Sequence, residues 1–271
     1  MAEPSRDPPD RDRTRTEPLV ARTANHVGRL LPLALVPLAT ALLRVRDLLA
    51  VSRADGLSVR ASFPVYRYDV WNFLEAPREG GLSVSLPFGT PEPLPLLVPL
   101  IGAYVLVSGV LSAGYFGCIA DGVTTGQFDF VANIRRFGAR TVMLEALVVL
   151  ALAAAFLPLV IVPPLFVAAI LAALVLSYLY FPTVYVLVLE DRDIKSALGR
   201  ARDLVDQHRP IGFFLSVAVV TALCSVPLSL VARTSPVGAL LATVVAAPLG
   251  LAFNAATALK VAEMAGVETV E

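Results

Sequence analysis

The sequence is poor in the residues that build soluble surfaces, disulfide frameworks and metal sites. It has two cysteines and two histidines among 271 residues, and only 16% of its residues are charged. An average soluble domain carries about 25% charged residues, so a water-soluble globule is a poor fit. The 22 basic residues are balanced by 22 acidic residues. Because there is no net positive charge to attract nucleic acid, we expect no nucleic-acid partner.

The motifs of common catalytic sites are also missing from the sequence. His26 and His208 are far apart in the chain, and no metal-ligand cluster of recognisable spacing can be assembled around them. There is no phosphate-binding G-x-x-x-x-G-K loop, no G-x-S-x-G turn and no H-E-x-x-H motif. Cys118 and Cys224 lie in or beside apolar runs and are predicted to be buried thiols. We therefore expect no catalytic residue, no metal, no cofactor and no enzymatic activity.

The chain is instead rich in long apolar runs, since 56% of its residues are hydrophobic. A helix that crosses a bilayer needs about 20 mostly apolar residues, and five segments meet this requirement. A shorter sixth run between Arg29 and Arg44 can also cross if both arginine side chains reach toward the interfaces. The predicted spans are residues 27–46, 95–117, 141–162, 165–189, 211–232 and 237–259.

The distribution of basic residues distinguishes a five-span from a six-span arrangement. Six spans with the amino terminus inside leave 15 basic residues on the inner side and 7 on the outer side. If the short apolar run between Arg29 and Arg44 does not cross, 13 basic residues lie on the outer side and 9 on the inner side. The positive-inside rule favours six spans, so we predict a multi-pass protein of the cell membrane with both termini cytoplasmic. Residues 1–24 are predicted to be a disordered tail, 25–262 the membrane domain and 263–271 a second tail.

The outer segment 51–94 differs in pattern from the rest of the chain. Apolar and polar residues alternate over 57–63 and again over 82–88, which predicts two short strands. Between them lies an aromatic stretch that contains Trp71, the only tryptophan. This stretch either contacts a ligand or partner, or anchors the protein at the interface, which the general enrichment of Trp and Tyr there favours. The sequence thus predicts an all-α six-helix bundle with a small extracytoplasmic strand-containing insertion.

Two cytoplasmic connections have the periodicity of amphipathic helices. In 127–140 the apolar positions form one face and the charged positions another. In 193–209 an apolar stripe runs along the segment, and Asp193 is the predicted N-cap. Such helices either lie in the membrane interface with their basic residues toward lipid phosphates, or pack beneath the bundle. The sequence leaves both interpretations open.

Small residues recur at four-residue spacing within three predicted spans, a pattern that predicts close helix contacts. The stripes are Gly109, Ala113 and Gly117; Ala169, Ala173 and Ser177; and Ala246, Gly250, Asn254 and Ala258. Asn254 is the most polar residue among them, and a buried amide needs hydrogen-bond partners. We predict an interhelical hydrogen bond to a hydroxyl, or to a backbone carbonyl freed by Pro248, Pro227 or Pro182.

Glu145, Tyr178 and Tyr185 complete the candidate intramembrane polar contacts. Glu145 is placed about one turn inside the third span from its cytoplasmic end. There it either pairs with Arg136 or Arg140, or is solvated at the interface, and the second interpretation is favoured. Tyr178 and Tyr185 share a face around Pro182, which predicts a kink. Packing is the favoured role of both tyrosines, and contact with a substrate is the alternative.

Short motifs give the chain a family resemblance. They are Ala113-Gly-Tyr-Phe-Gly117 with Phe128-Asp-Phe130, Tyr180-Phe-Pro182 with Leu189-Glu-Asp191 and Ala197-Leu198, and Asp55-Gly-Leu-Ser-Val59 with Trp71. Together they resemble uncharacterised six-span membrane proteins of haloarchaea and, more distantly, the membrane domain of glycerophosphodiester phosphodiesterases. The resemblance covers most of 25–262 and implies a six-helix layout. It implies no activity, because the catalysis of the distant family belongs to a separate soluble domain that this chain lacks.

Two functions are consistent with these observations. The first is a non-enzymatic integral membrane protein that binds membrane lipids or another membrane protein through its amphipathic helices and small-residue faces. The second is a small-molecule transporter or permease whose substrate would lie near Tyr178, Tyr185 and Asn254. A transporter needs a polar cavity near the middle of the membrane, so the presence of such a cavity distinguishes the two functions.

Overall fold

The computed structural model describes residues 18–53, 67–74, 94–161 and 165–270. Within these ranges the chain is all-helical and contains no strand. The predicted strands at 57–63 and 82–88 lie outside the described residues. The helices are α1 (Leu19–Leu30), α2 (Leu35–Leu42), α3 (Val45–Ser52), α4 (Leu94–Thr124), α5 (Phe130–Ile161), α6 (Leu165–Tyr180), α7 (Thr183–Leu189), α8 (Ile194–His208), α9 (Ile211–Ala232) and α10 (Pro236–Ala265).

Five helical segments are long and apolar enough to cross a membrane. They are Pro99–Thr124, Phe130–Ala154, Val167–Leu189, Ile211–Ala232 and Pro236–Ala265. Large apolar side chains are exposed along them, as at Leu106, Leu150 and Leu223. Because such contiguous apolar exposure fits lipid and not water, the prediction of a multi-pass membrane protein is confirmed.

The first apolar run is not the single straight helix that was predicted over 27–46. Residues 31–34, which include Pro32, form a 3₁₀ turn between α1 and α2. The chain then turns at Leu43 and Arg44, so that α3 is bent by 80° from the segment Leu19–Leu42. This bent pair makes a sixth span only if it crosses as one unit. Helix α1 also begins at Leu19, so the last residues of the predicted tail 1–24 are helical.

Local signals explain where the later helices begin and end. The carboxylate of Asp129 accepts hydrogen bonds from the N–H groups of Val131 and Ala132 at the start of α5. The predicted N-cap Asp193 is confirmed, since its side chain accepts from Ser196 N at the start of α8. Ser235 caps α10 in the same way. Gly266 ends α10 with φ 72°, a left-handed conformation that glycine adopts without strain.

The two predicted amphipathic connections differ in the structure. Residues 130–140 are not a separate interfacial helix but the first turns of α5, which continues to Ile161 without interruption. No proline follows these turns within the next 17 residues, so no local signal ends the helix there. Residues 194–208 do form their own helix, α8, which buries Ala197, Ala201 and Leu204 against the rest of the bundle.

Helix α10 is the centre of the bundle and contacts α1, α2, α3, α4, α7, α8 and α9. Its predicted small-residue stripe is confirmed, because Ala246, Asn254 and Ala258 are buried. The stripe of α4 is also confirmed, since Gly109 faces Val142 of α5 at very short range. The stripe predicted in α6 is not a continuous contact face, because Ala169 and Ser177 are half-buried while Ala173 is exposed. A small residue contributes to a helix contact only where a neighbouring helix packs against it.

Candidate binding site

The site begins with a short segment, residues 67–74, that contains no α-helix and packs into the helical bundle. A 3₁₀ turn at Val70–Asn72 is capped by Asp69, whose carboxylate accepts from Trp71 N, while Asn72 Oδ1 accepts from Asp69 N. Tyr68, Val70, Phe73 and Leu74 are fully buried. The aromatic stretch was expected to anchor at the interface, but its described part lies inside the bundle. Irregular backbone at membrane depth is tolerated only inside protein or beside a cavity.

Asn254 holds this segment in place with all of its hydrogen-bonding capacity. Its Oδ1 accepts from Tyr68 N at 3.0 Å and from the Tyr185 hydroxyl at 3.0 Å. Its Nδ2 donates to Tyr68 O at 2.9 Å and to the Tyr115 hydroxyl at 3.0 Å. Both backbone groups of Tyr68 are therefore satisfied although they lie outside regular secondary structure. We call this arrangement the Asn254 clamp.

The hydrogen bonds of the Asn254 clamp confirm the predicted helix contact, but one of the partners differs from those predicted. A hydroxyl was expected, and the clamp has two, from α4 and α7. The carbonyl partner belongs to Tyr68 and not to a residue freed by Pro248, Pro227 or Pro182. Gly250 makes the approach possible, because a Cβ added there would lie 3.3 Å from Tyr68 O. The ring of Phe253 packs 5.3 Å from that of Tyr68 and covers the segment further.

Beside this segment lies a cleft of about 490 Å³ between the end of α2, residues 67–71 and one side of α4. Its α4 wall is largely apolar, with Val107 54% and Tyr104 37% exposed. Its polar side chains include two arginines, one from each of the other walls. The lining residues are Thr40, Leu43, Arg44, Arg67, Asp69, Trp71, Leu100, Ala103, Tyr104, Val107, Ser108 and Leu111.

A chain of hydrogen bonds runs from this cleft into the interface between α4 and α5. Arg67 Nη1 donates to Ser108 Oγ at 3.3 Å and to Ser112 Oγ at 3.2 Å. Ser108 Oγ donates to Glu145 Oε1 at 2.8 Å. Among the described residues, Glu145 Oε2 has no hydrogen-bond partner. A carboxylate in apolar surroundings is a costly feature, and in membrane proteins it marks functional sites.

The predicted environment of Glu145 is wrong. Glu145 is 7% exposed, not solvated at an interface, and Arg136 and Arg140 pair with Asp191 instead. The reason is that α5 begins at Phe130, so Glu145 lies about 22 Å along it at a rise of 1.5 Å per residue. The prediction placed it near the helix end because the earlier turns were assigned to a separate helix.

Tyr178 is also separate from the cleft. Its ring packs edge-on against Phe214 at 5.2 Å, and it lines a different pocket with Asp206 and Arg209. The helix breaks at Phe181 and Pro182, as the proline predicted, and this break separates Tyr178 in α6 from the buried Tyr185 in α7. Of the four candidate residues, the structure therefore joins only Asn254 and Tyr185 directly.

Sequence reasoning missed Arg67, Tyr68, Tyr115 and Ser108 as site residues. Arg67 counted only as an outer positive charge, and Tyr68 only as part of an aromatic stretch. One signal was available, since Ser108 and Ser112 stand four residues apart in an apolar helix and so mark a polar face. The hydrogen-bond partners of these two serines are Arg67 and Glu145, which lie far from them in the sequence.

These features define the class of the protein, which over its described residues is an all-helical, multi-pass membrane protein with a partly polar cleft between α2, residues 67–71 and α4. Comparison of the chain with protein-family models, with curated proteins and with solved structures finds no match.

Proposed function

We propose that this chain is a non-enzymatic protein of the cell membrane that binds a membrane lipid in the cleft between α2, residues 67–71 and α4. The observation that carries the proposal is the composition of the cleft, with arginines on two walls and an apolar third wall. A lipid has the same division into a polar headgroup and an apolar chain. Pockets for small ligands are likewise mostly apolar with a few convergent polar groups.

The apolar wall gives the cleft lateral access from the bilayer. Leu100, Ala103 and Val107 line the cleft from α4, and the neighbouring Leu106 is exposed on the outside of the same helix. An acyl chain on this side would contact α4 without leaving hydrocarbon surroundings. Since lipid tails are as apolar as leucine, the headgroup contacts must supply the selectivity.

We also propose how the protein is oriented in the membrane. Six spans with both termini cytoplasmic require the segment Leu19–Leu42 and α3 to cross together as the bent pair. The excess of basic residues on the proposed inner side supports this arrangement.

Blocking the cleft tests the proposed function. The variant Ala103→Trp places a large ring on the exposed cleft wall of α4. The matched control Ala153→Trp makes the same change at an exposed alanine of α5 that is not among the residues lining the cleft. Native mass spectrometry of both variants in detergent should show retained lipid in the wild type and the control, and its loss in Ala103→Trp. Equal retention in all three proteins would contradict the proposal.

A small-molecule transporter is the second candidate, and two observations favour it. Tyr68, Val70, Phe73 and Leu74 of the segment 67–74 are buried in the bundle outside any α-helix, and discontinuous backbone of this kind forms substrate sites in transporters. Glu145 is buried beside the cleft, and carboxylates in such positions carry ions or protons. Cysteine accessibility scanning over residues 246–258 separates the functions. Labelling from water near Asn254 would favour transport, whereas uniform protection would favour lipid binding.

A further inference from the structure

The hydrogen-bonding groups of the cleft are unbalanced in favour of donors. Arg44, Arg67 and Trp71 contribute N–H groups, and the arginines carry permanent positive charge. Among the described lining residues the one carboxylate is Asp69, which accepts from Trp71 N at 2.9 Å as the cap of the 3₁₀ turn. Ser108 already donates to Glu145 and accepts from Arg67. A ligand that complements this lining must therefore bring acceptors.

Two of these donors are buried without an acceptor. Arg44 stacks over the ring of Trp71, with its guanidinium carbon 4.5 Å from the ring centroid, and it pairs with Asp47. Even so, Arg44 Nε and Trp71 Nε1 have no hydrogen-bond partner within the described part of the chain. Unsatisfied buried donors are uncommon in native proteins, and a ligand that brings hydrogen-bond acceptors is one physical explanation for them.

We propose, building on the proposed function, that the lipid held in the cleft has an anionic phosphate headgroup, placed between Arg44 and Arg67 beside Trp71. Phosphate oxygens are strong acceptors, and arginine binds them with charge-assisted hydrogen bonds. The source is a membrane lipid and not free phosphate, because Leu100, Ala103 and Val107 continue the cleft along an apolar and largely exposed side of α4. Nothing in that apolar wall complements a small hydrated ion.

The single tryptophan makes the site directly observable. Trp71 is the only tryptophan of the chain and lines the cleft, so its fluorescence reports on groups bound there. The purified full-length protein is reconstituted in phosphatidylcholine nanodiscs that contain brominated lipid at a fixed mole fraction. The brominated lipid is either phosphatidylglycerol or phosphatidylcholine. We expect stronger quenching of Trp71 by the brominated phosphatidylglycerol.

Arginine variants test the assignment of the headgroup. Arg44→Gln and Arg67→Gln should each lower the preference for phosphatidylglycerol about fivefold, the effect of one basic side chain near a membrane surface. The control Arg46→Gln removes the same charge from an exposed residue two positions from Arg44 that is not among the lining residues, and it should keep the preference. The preference is a ratio measured within each variant, so a change in the basal emission of Trp71 does not affect it. A loss in Arg46→Gln as large as in the other two would overturn the proposed site.

The remaining outcomes separate the anionic headgroup from lipid binding itself. Equal quenching by both brominated lipids would overturn the headgroup assignment while leaving lipid binding in place. Quenching by neither lipid would overturn both proposals. Inorganic phosphate added to phosphatidylglycerol nanodiscs should leave the quenching unchanged, and its relief by phosphate would assign the site to the free ion instead.

Discussion

Asn254 shows how one side chain organises this bundle. Its amide makes four hydrogen bonds, to both backbone groups of Tyr68 and to the hydroxyls of Tyr115 and Tyr185. Three separate parts of the chain are thereby attached to α10. Because an apolar medium offers no replacement partners, each of these groups depends on the amide.

Asn254→Leu should destabilise the protein although leucine has a similar size. The change leaves the buried N–H and C=O of Tyr68 without partners, at a cost of about 2 to 4 kcal/mol in total. This loss of stability is measured by unfolding the detergent-solubilised protein with increasing concentrations of a denaturing detergent. Thr257→Val is the control, because Thr257 is equally buried in α10 and, among the described residues, its hydroxyl bonds only to Phe253 O of its own helix. If the two variants were equally stable, the Asn254 clamp would have no structural role.

Asp191 offers a test of a charged contact outside the membrane-spanning helices. Arg136 Nη2 lies 2.9 Å from Asp191 Oδ2 and Arg140 binds the other oxygen, and these hydrogen bonds lower the pKa of Asp191 below its ordinary value of 3.8. Since the folded-state pKa is lowered, the stabilisation is complete above the unfolded pKa and is lost as the pH falls through the folded pKa. It amounts to about 1 kcal/mol or less, because the pair is half-exposed.

The corresponding measurement compares Asp191→Asn with the wild type at neutral pH and at strongly acidic pH. The variant should be less stable at neutral pH, and the difference should disappear in acid. Asp203→Asn, at an exposed position of α8, should match the wild type at neutral pH. A stability gap for Asp191→Asn that stayed constant over the whole range would mean that the ion pairs contribute nothing.

At the scale of elements, the α4–α5 hairpin depends on a close approach at Gly109. A Cβ built on Gly109 would lie 2.5 Å from the Cα of Val142, which real structures do not allow. Thr141 Oγ1 also donates to Gly109 O at 2.8 Å and so joins the two helices at the same level. The hydrogen bond from Ser108 to Glu145 lies next to this contact, one residue before Gly109 and three residues after Val142. The hairpin therefore sets the position of the polar chain behind the cleft.

Gly109→Ala should force α4 and α5 apart and destabilise the protein by about 1 to 3 kcal/mol, the usual cost of overpacking. The matched control is Gly102→Ala in the same helix, where an added Cβ meets nothing within 4 Å. That control should be neutral or stabilising, because alanine is the better helix former. Thermal unfolding in detergent distinguishes the two variants. A harmless Gly109→Ala would show that the helices pack less closely there.

At the scale of the whole molecule, the prediction concerns topology. Single cysteines are introduced as Asp10→Cys, Glu75→Cys and Glu268→Cys in a chain whose Cys118 and Cys224 are serine. A membrane-impermeant maleimide applied to intact cells should label only the cysteine at 75, because the basic residues favour six spans with both termini inside. Labelling at 10 as well would show that the bent pair of Leu19–Leu42 and Val45–Ser52 does not cross.

Much of this architecture is readable from the sequence, because it depends on local properties. Hydropathy over 20-residue windows locates the five long spans, and α9 has the predicted bounds of Ile211 and Ala232. Asp193 and Pro182 act on the backbone beside them, so the cap and the helix break follow from residue type. Asn254 could be assigned to a helix contact because an unsatisfied amide is costly in lipid wherever it lies.

The candidate site was decided by tertiary structure alone. Tyr68 and Asn254 are 186 residues apart, and Ser108 and Glu145 are 37 apart, so no local pattern pairs them. The burial of Tyr68 depends on space that Gly250 leaves in another helix, and no proline stands at Leu43 or Arg44, where the chain bends by 80°. Hydropathy indicates which residues are excluded from water, but it does not indicate which side chains contact each other. Those contacts depend on how the helices pack against one another, and packing is a property of the folded chain.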